Sequence, residues 1–273
     1  QSPEHVVRPD EHRVADALGD RERLLARPGD APARRPERQL VEDDAELSPV
    51  LGEVDRPERV AEQGYAVSAP LLPGHGTRWQ DLATTRYADW LRAVLAAAEE
   101  LRAGHRTVVA FGVSLGGALV TDVAAHRPEL LDGLVLVNPA FAATDWRLKV
   151  IPHLKHLVPV AQAIADDIRR PGPPRELAYA WTPLKAFDSF VEQWPRLVEQ
   201  LPLVQQPVLL VRSRHDKVVP PVSAEAFLGA VGSDDVTVRW LEDSAHVAPL
   251  DHDAEDLISF TLDFVDRMAS DGG

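Results

Sequence analysis

Three polar side chains, far apart in the chain, have the types and surroundings needed to attack a carbonyl carbon: Ser114, Asp216 and His246. Ser114 sits in Gly112-Val-Ser114-Leu-Gly116, directly after the apolar run Thr107–Val113 and before the small residues Gly117 and Ala118. A serine at a sharp strand-to-helix turn is held in a strained backbone conformation, with its hydroxyl pushed clear of the sheet. Glycines two residues either side keep Cβ atoms out of the crowded turn. The backbone N–H of Leu115, at the helix start, is placed to stabilise an oxyanion. Asp216 follows the run Pro207–Ser213, and His246 follows Val236–Leu241. In that order the imidazole can serve Ser114 as general base, while the carboxylate fixes the ring tautomer and stabilises the cation that forms. Each taken alone has a plainer reading, Asp216 as a turn former and His246 as a solvated loop residue. Asp145, which follows the strand ending at Asn138, is an alternative acid.

The elements that must position these groups follow the rhythm of a layered α/β protein. Strands are expected at Tyr65–Leu71, Thr107–Val113, Gly133–Asn138, Pro207–Ser213 and Val236–Leu241. Helices are expected at Ala88–Leu101, Gly117–His126 and Ala254–Met268. Gly133-Leu-Val-Leu-Val-Asn138 is continuously apolar, as a strand covered on both faces should be. Between Phe141 and Leu203 the strand rhythm stops, and aromatic residues and prolines accumulate. This insert is expected to form a small helical cap over the site. Trp146 in it is a candidate for the substrate pocket. His153 and His156 are three residues apart there, but no carboxylate at matching spacing completes a metal site, and none is expected. His75, in Leu72-Pro-Gly-His75-Gly-Thr77, reads as a structural hydrogen-bonding residue.

Residues 1–64 differ in kind. They hold ten Arg, no Lys and no aromatic residue against sixteen Asp and Glu. So little apolar surface cannot offset the entropy of ordering a chain. Residues 1–59 are therefore expected to be an atypical segment, disordered or translated off-frame from a GC-rich gene, with residues 60–273 forming the main domain. Across all 273 residues the charge of -14 argues against nucleic acid or an anionic membrane as partner. No run of about 18 apolar residues exists to span a membrane. The absence of cysteine, and of a leader at the start, points to the cytoplasm. Nothing in the sequence sets the oligomeric state.

The chain order Ser, Asp, His at strand ends is that of the α/β-hydrolase family. Residues 60–268 resemble its bacterial carboxylesterase and monoacylglycerol lipase group. The matching segments are Gly64-Tyr-Ala-Val, Leu72-Pro-Gly-His-Gly-Thr77, Trp79-Gln-Asp-Leu82, Asp89-Trp90, Gly112-Val-Ser-Leu-Gly-Gly117, Asp216-Lys-Val-Val-Pro220 and His246-Val-Ala-Pro-Leu-Asp251. The resemblance implies an α/β fold with a mostly parallel sheet flanked by helices. It also implies hydrolysis of carboxylic esters through an acyl-serine intermediate without cofactor or metal. Short- or medium-chain acyl esters, monoacylglycerols among them, are the expected substrates, and the apolar composition of the insert favours an uncharged, lipid-like one. Family members carry a further apolar strand before Tyr65, ending in a His-Gly-Phe-like loop that gives the second oxyanion N–H. Residues 1–64 show neither that strand nor that loop, and the N-terminal strands read as missing or replaced. A non-catalytic or impaired hydrolase-like protein, lacking that half of the oxyanion hole, is the alternative.

Overall fold

A computed structural model describes residues 38–43 and 56–271. Among these, six strands form one sheet in which every pairing is parallel. In chain order they are β1 (Arg38–Asp43), β2 (Ala66–Ser68), β3 (Thr107–Val113), β4 (Gly133–Val137), β7 (Val208–Ser213) and β8 (Val236–Leu241), and in space they run β2-β1-β3-β4-β7-β8. A separate antiparallel pair, β5 (Val160–Gln162) with β6 (Trp181–Pro183), lies in the insert.

Strand alternation divides the core in two. On one side Val108, Ala110, Leu134, Leu136 and Leu210 pack with α3 (Tyr87–Gly104) and α4 (Leu115–His126). On the other, Val109, Phe111, Val135, Val137 and Leu209 pack with α9 (Ala254–Asp271) through Leu257, Phe264 and Val265. Successive side chains of a strand point to opposite faces, so strands covered on both sides must be apolar throughout. β3 and β4 are buried at every position.

The remaining helices are α1 (Arg56–Glu62), α2 (Trp79–Leu82), α5 (Ile151–Leu154), α6 (Leu184–Val191), α7 (Trp194–Gln200) and α8 (Pro221–Leu228). The Arg86 N–H donates to the Asp89 carboxylate at 2.9 Å, which closes the first turn of α3 and explains the Asp89-Trp90 pair. The Trp90 indole then donates to the Pro73 carbonyl at 3.0 Å, pinning the Pro-Gly-His-Gly loop.

Two expectations need correction. The sheet has no gap before Tyr65: β1 runs between β2 and β3, pairing Arg38–Asp43 with Thr107–Gly112. Its sequence, Arg-Gln-Leu-Val-Glu-Asp, has only two apolar residues, so hydrophobic pattern does not announce it. The insert is also not purely helical, because β5 and β6 form a hairpin within it. The rest of the segment 1–59, and the loop expected to follow its strand, lie outside the described residues, apart from β1 and the start of α1. No helix among the described residues is long and apolar enough to cross a membrane.

Candidate active site

The turn at Ser114 is strained in the way its flanking residues require. Ser114 has φ 51° and ψ −112°, a region that residues with a Cβ rarely enter. Its N–H donates to the Val137 carbonyl at 3.0 Å, and its carbonyl accepts from Ala140 and Ala118. The turn is thus tied to the end of β4 and to the first turn of α4. A Cβ on Gly112 would lie 2.5 Å from the Gly116 carbonyl, and one on Gly117 would lie 2.8 Å from Pro139. Only glycine lets β3 and α4 approach this closely. Leu115 opens α4, where backbone N–H groups have no partner within the helix.

Asp216 and His246 meet beyond the ends of β7 and β8. His246 Nδ1 lies 3.0 Å from Asp216 Oδ2, and both side chains are buried, at 4% and 1% exposure. A carboxylate can only accept, so the ring hydrogen belongs on Nδ1 and the basic lone pair on Nε2. Asp216 Oδ1 accepts the N–H groups of Val218 and Val219, both at 2.8 Å. The carboxylate is therefore fixed from its far side while it holds the ring.

Ser114, Leu115 and His246 open onto one cavity of about 690 Å³. Most of its wall is apolar and comes from the insert, including Ile151, Leu184 and Phe190. Trp146 stands at its mouth, lining the cavity while remaining 69% exposed. His75 also reaches the wall, packed edge-on against Trp90 with ring centroids 5.4 Å apart. Burial pulls its imidazole down to about 4, so it is neutral near pH 7; the Pro73 and Leu72 carbonyls oppose this only partly. Asp145 is placed otherwise than a relay acid would be. Its carboxylate caps the turn Trp146–Lys149 and pairs with Arg147, which holds it below the usual carboxylate range. Among the described residues no group of three or more His, Asp or Glu side chains could hold a metal ion.

Several supporting residues were not singled out from the sequence. Asn138, buried and at φ 44°, donates to Ser213 Oγ and to the His246 carbonyl, and accepts the Ser213 N–H. It locks the ends of β4 and β7 to the histidine loop. An asparagine closing an otherwise apolar strand was the available signal. Asp251 takes four backbone N–H groups, from Ala245, His252, Arg169 and Arg170. Burial alone would push its carboxyl up, but those donors outweigh it and leave the group below its ordinary value.

The chain is similar to several known proteins. A family model described as serine aminopeptidase, S33, matches residues 56–253. A thermostable monoacylglycerol lipase from Bacillus sp. (strain H-257) is 30% identical over 217 residues, which span 78% of this chain and 84% of that one. A carboxylesterase from Bacillus subtilis (strain 168) is 24% identical over 76% of this chain and 83% of its own length. A solved structure described with two metagenome-derived lipolytic enzymes, LipS and LipT, superposes with a TM-score of 0.79 at 32% identity. It covers 85% of this chain and 94% of that one.

Proposed function

This chain belongs to the serine aminopeptidase, S33, family and is a lipase- or esterase-type α/β-hydrolase; within that class we propose that it cleaves uncharged, lipid-like esters through an acyl-serine intermediate on Ser114. The observation that carries this reading is the buried His246–Asp216 pair, whose histidine shares one largely apolar cavity with Ser114. His246 Nε2 takes the Ser114 proton as Oγ bonds to the ester carbonyl carbon. The Leu115 N–H faces the resulting oxyanion. The same imidazole, now protonated, gives its proton to the departing alcohol oxygen. Water then repeats the sequence on the acyl-enzyme, releasing the acid and restoring the serine.

Substrate class follows from the cavity. Trp146, Ile164, Leu177 and Trp181 all line it while being 46% or more exposed, so its entrance is apolar as well as its interior. Such a wall receives an acyl chain more readily than a charged peptide end. The similarity to a monoacylglycerol lipase makes monoacylglycerols the first esters to test. Hydrolysis of p-nitrophenyl butyrate and of a medium-chain monoacylglycerol should be measured with Ser114→Ala and His246→Ala as controls. Loss of both activities in folded variants supports the reading, and turnover that survives Ser114→Ala overturns it.

A further inference from the structure

One cap residue reaches the backbone of both loops that carry the acid and the base. In the segment 163–170, Asp166 adopts φ 61° and the Ile168 N–H donates back to the Asp166 carbonyl at 2.8 Å. That tight turn presents Asp167 at its apex. Asp167 Oδ2 accepts the N–H of His246 itself at 3.2 Å and the N–H of Lys217, the residue after Asp216, at 3.0 Å. The Asp167 carbonyl accepts the Val247 N–H at 3.2 Å. Among the described residues, direct backbone bonds join these segments at the strand ends, from the Arg214 N–H to the Leu241 carbonyl at 2.9 Å, and further out from the His215 N–H to the Ser244 carbonyl at 3.3 Å.

We infer that Asp167 is a positioning residue for the His246–Asp216 pair, contributed by the cap, so that catalytic geometry is complete only when this cap segment is seated. The inference rests on the proposed serine mechanism. It goes beyond it because the relay alone would need nothing from the insert except a pocket wall. One carboxylate oxygen fixes two N–H groups on separate loops, and it therefore sets the spacing between the base and its acid. A shift of a few tenths of an ångström there changes the approach of Nε2 to Ser114 Oγ, to which proton transfer is steeply sensitive. Another anchor of the cap, Asp251 on Arg169 and Arg170, holds the neighbouring residues in place. Asp167 is the one whose acceptor touches the base residue.

The test compares Asp167→Ala, Asp167→Asn and Asp167→Glu with the unaltered protein on p-nitrophenyl acetate and p-nitrophenyl butyrate, with circular dichroism to check folding. Asp167→Ala is expected to lower kcat by roughly 10- to 100-fold, the scale of two charge-assisted hydrogen bonds, equally for both esters and with KM unchanged within about twofold. Asn keeps an oxygen acceptor in place and should recover kcat to within about fivefold of the unaltered protein. Glu moves the acceptor outward by one methylene and should stay low. If Asp167→Ala does not fold, the Asn and Glu pair carries the comparison. Equal kcat for Asn and Glu overturns the inference, as does a loss that appears in KM or grows with acyl length, which would make Asp167 only a cap anchor. Ser114→Ala is run alongside. Activity in that variant overturns the serine mechanism itself, whereas an inactive Ser114→Ala beside an unaffected Asp167→Ala overturns this inference alone.

Discussion

His246 Nδ1 and Asp216 Oδ2 are 3.0 Å apart in surroundings that leave both side chains buried. The pairing dictates the ring tautomer, because the carboxylate has no hydrogen to give. Asp216→Asn would place an amide there, whose NH₂ group favours the opposite tautomer. With the hydrogen on Nε2 the ring cannot accept the serine proton. Asp216→Asn should lower kcat on the order of 10³- to 10⁴-fold with KM changed only a few-fold, as steady-state hydrolysis of p-nitrophenyl butyrate will show.

The turn at Ser114 makes a steric prediction. Gly112→Ala places a methyl group 2.5 Å from the Gly116 carbonyl and the Gly117 nitrogen, backbone atoms that cannot rotate out of its way. The expected loss is about 2–4 kcal/mol, read as a fall of roughly 5–15 °C in Tm. Gly104→Ala, at the end of α3, meets nothing within 4 Å and should be neutral or stabilising by up to about 1 kcal/mol. Thermal melts of the two variants separate close approach from a general intolerance of alanine.

His75 predicts the response to acid. Burial holds its imidazole at about 4, against 6.5 for the unfolded chain. Between those values the unfolded chain binds the extra proton, so stability falls as pH drops from about 6.5 towards 4 and is fully retained above that window. The whole effect is about 3 kcal/mol. His75→Phe keeps a ring against Trp90 and removes the titration. Denaturant melts at pH 7 and pH 5 should show the variant losing about 2 kcal/mol less than the unaltered protein over that interval. An identical loss in both would show that other groups govern the acid response.

Asp251→Ala strands four backbone N–H groups near the histidine loop. Leaving buried donors unpaired costs roughly 1–3 kcal/mol each where water cannot reach them, and the expected total is about 3–5 kcal/mol. Chemical denaturation should show it as a lower midpoint at unchanged slope.

Where chemistry and core packing coincide, the site was legible in the residues. Ser114, Asp216 and His246 each follow an apolar run, and β3 and β8 end where hydrophobicity ends. The relation of the fold to its N-terminal segment was not legible, since β1 is held by its backbone ladder and carries only Leu40 and Val41 as apolar residues. The contacts of Asp167, Asn138 and Asp251 were hidden for another reason. Apart from the bond of Asn138 to Ser213 Oγ, they join side chains to backbone N–H and C=O groups, and a backbone partner leaves no trace in residue type. Asp167 lies 79 residues from the histidine whose N–H it accepts. Only the tertiary structure brings the two together.

A covalent serine mechanism is tested by the mass of the protein after reaction with a fluorophosphonate ester. A single adduct mapped to the peptide bearing Ser114, formed in step with loss of p-nitrophenyl butyrate hydrolysis and absent from Ser114→Ala, is the predicted result. Hydrolysis that persists after complete labelling of Ser114, or an inactivating adduct on another residue, would contradict it.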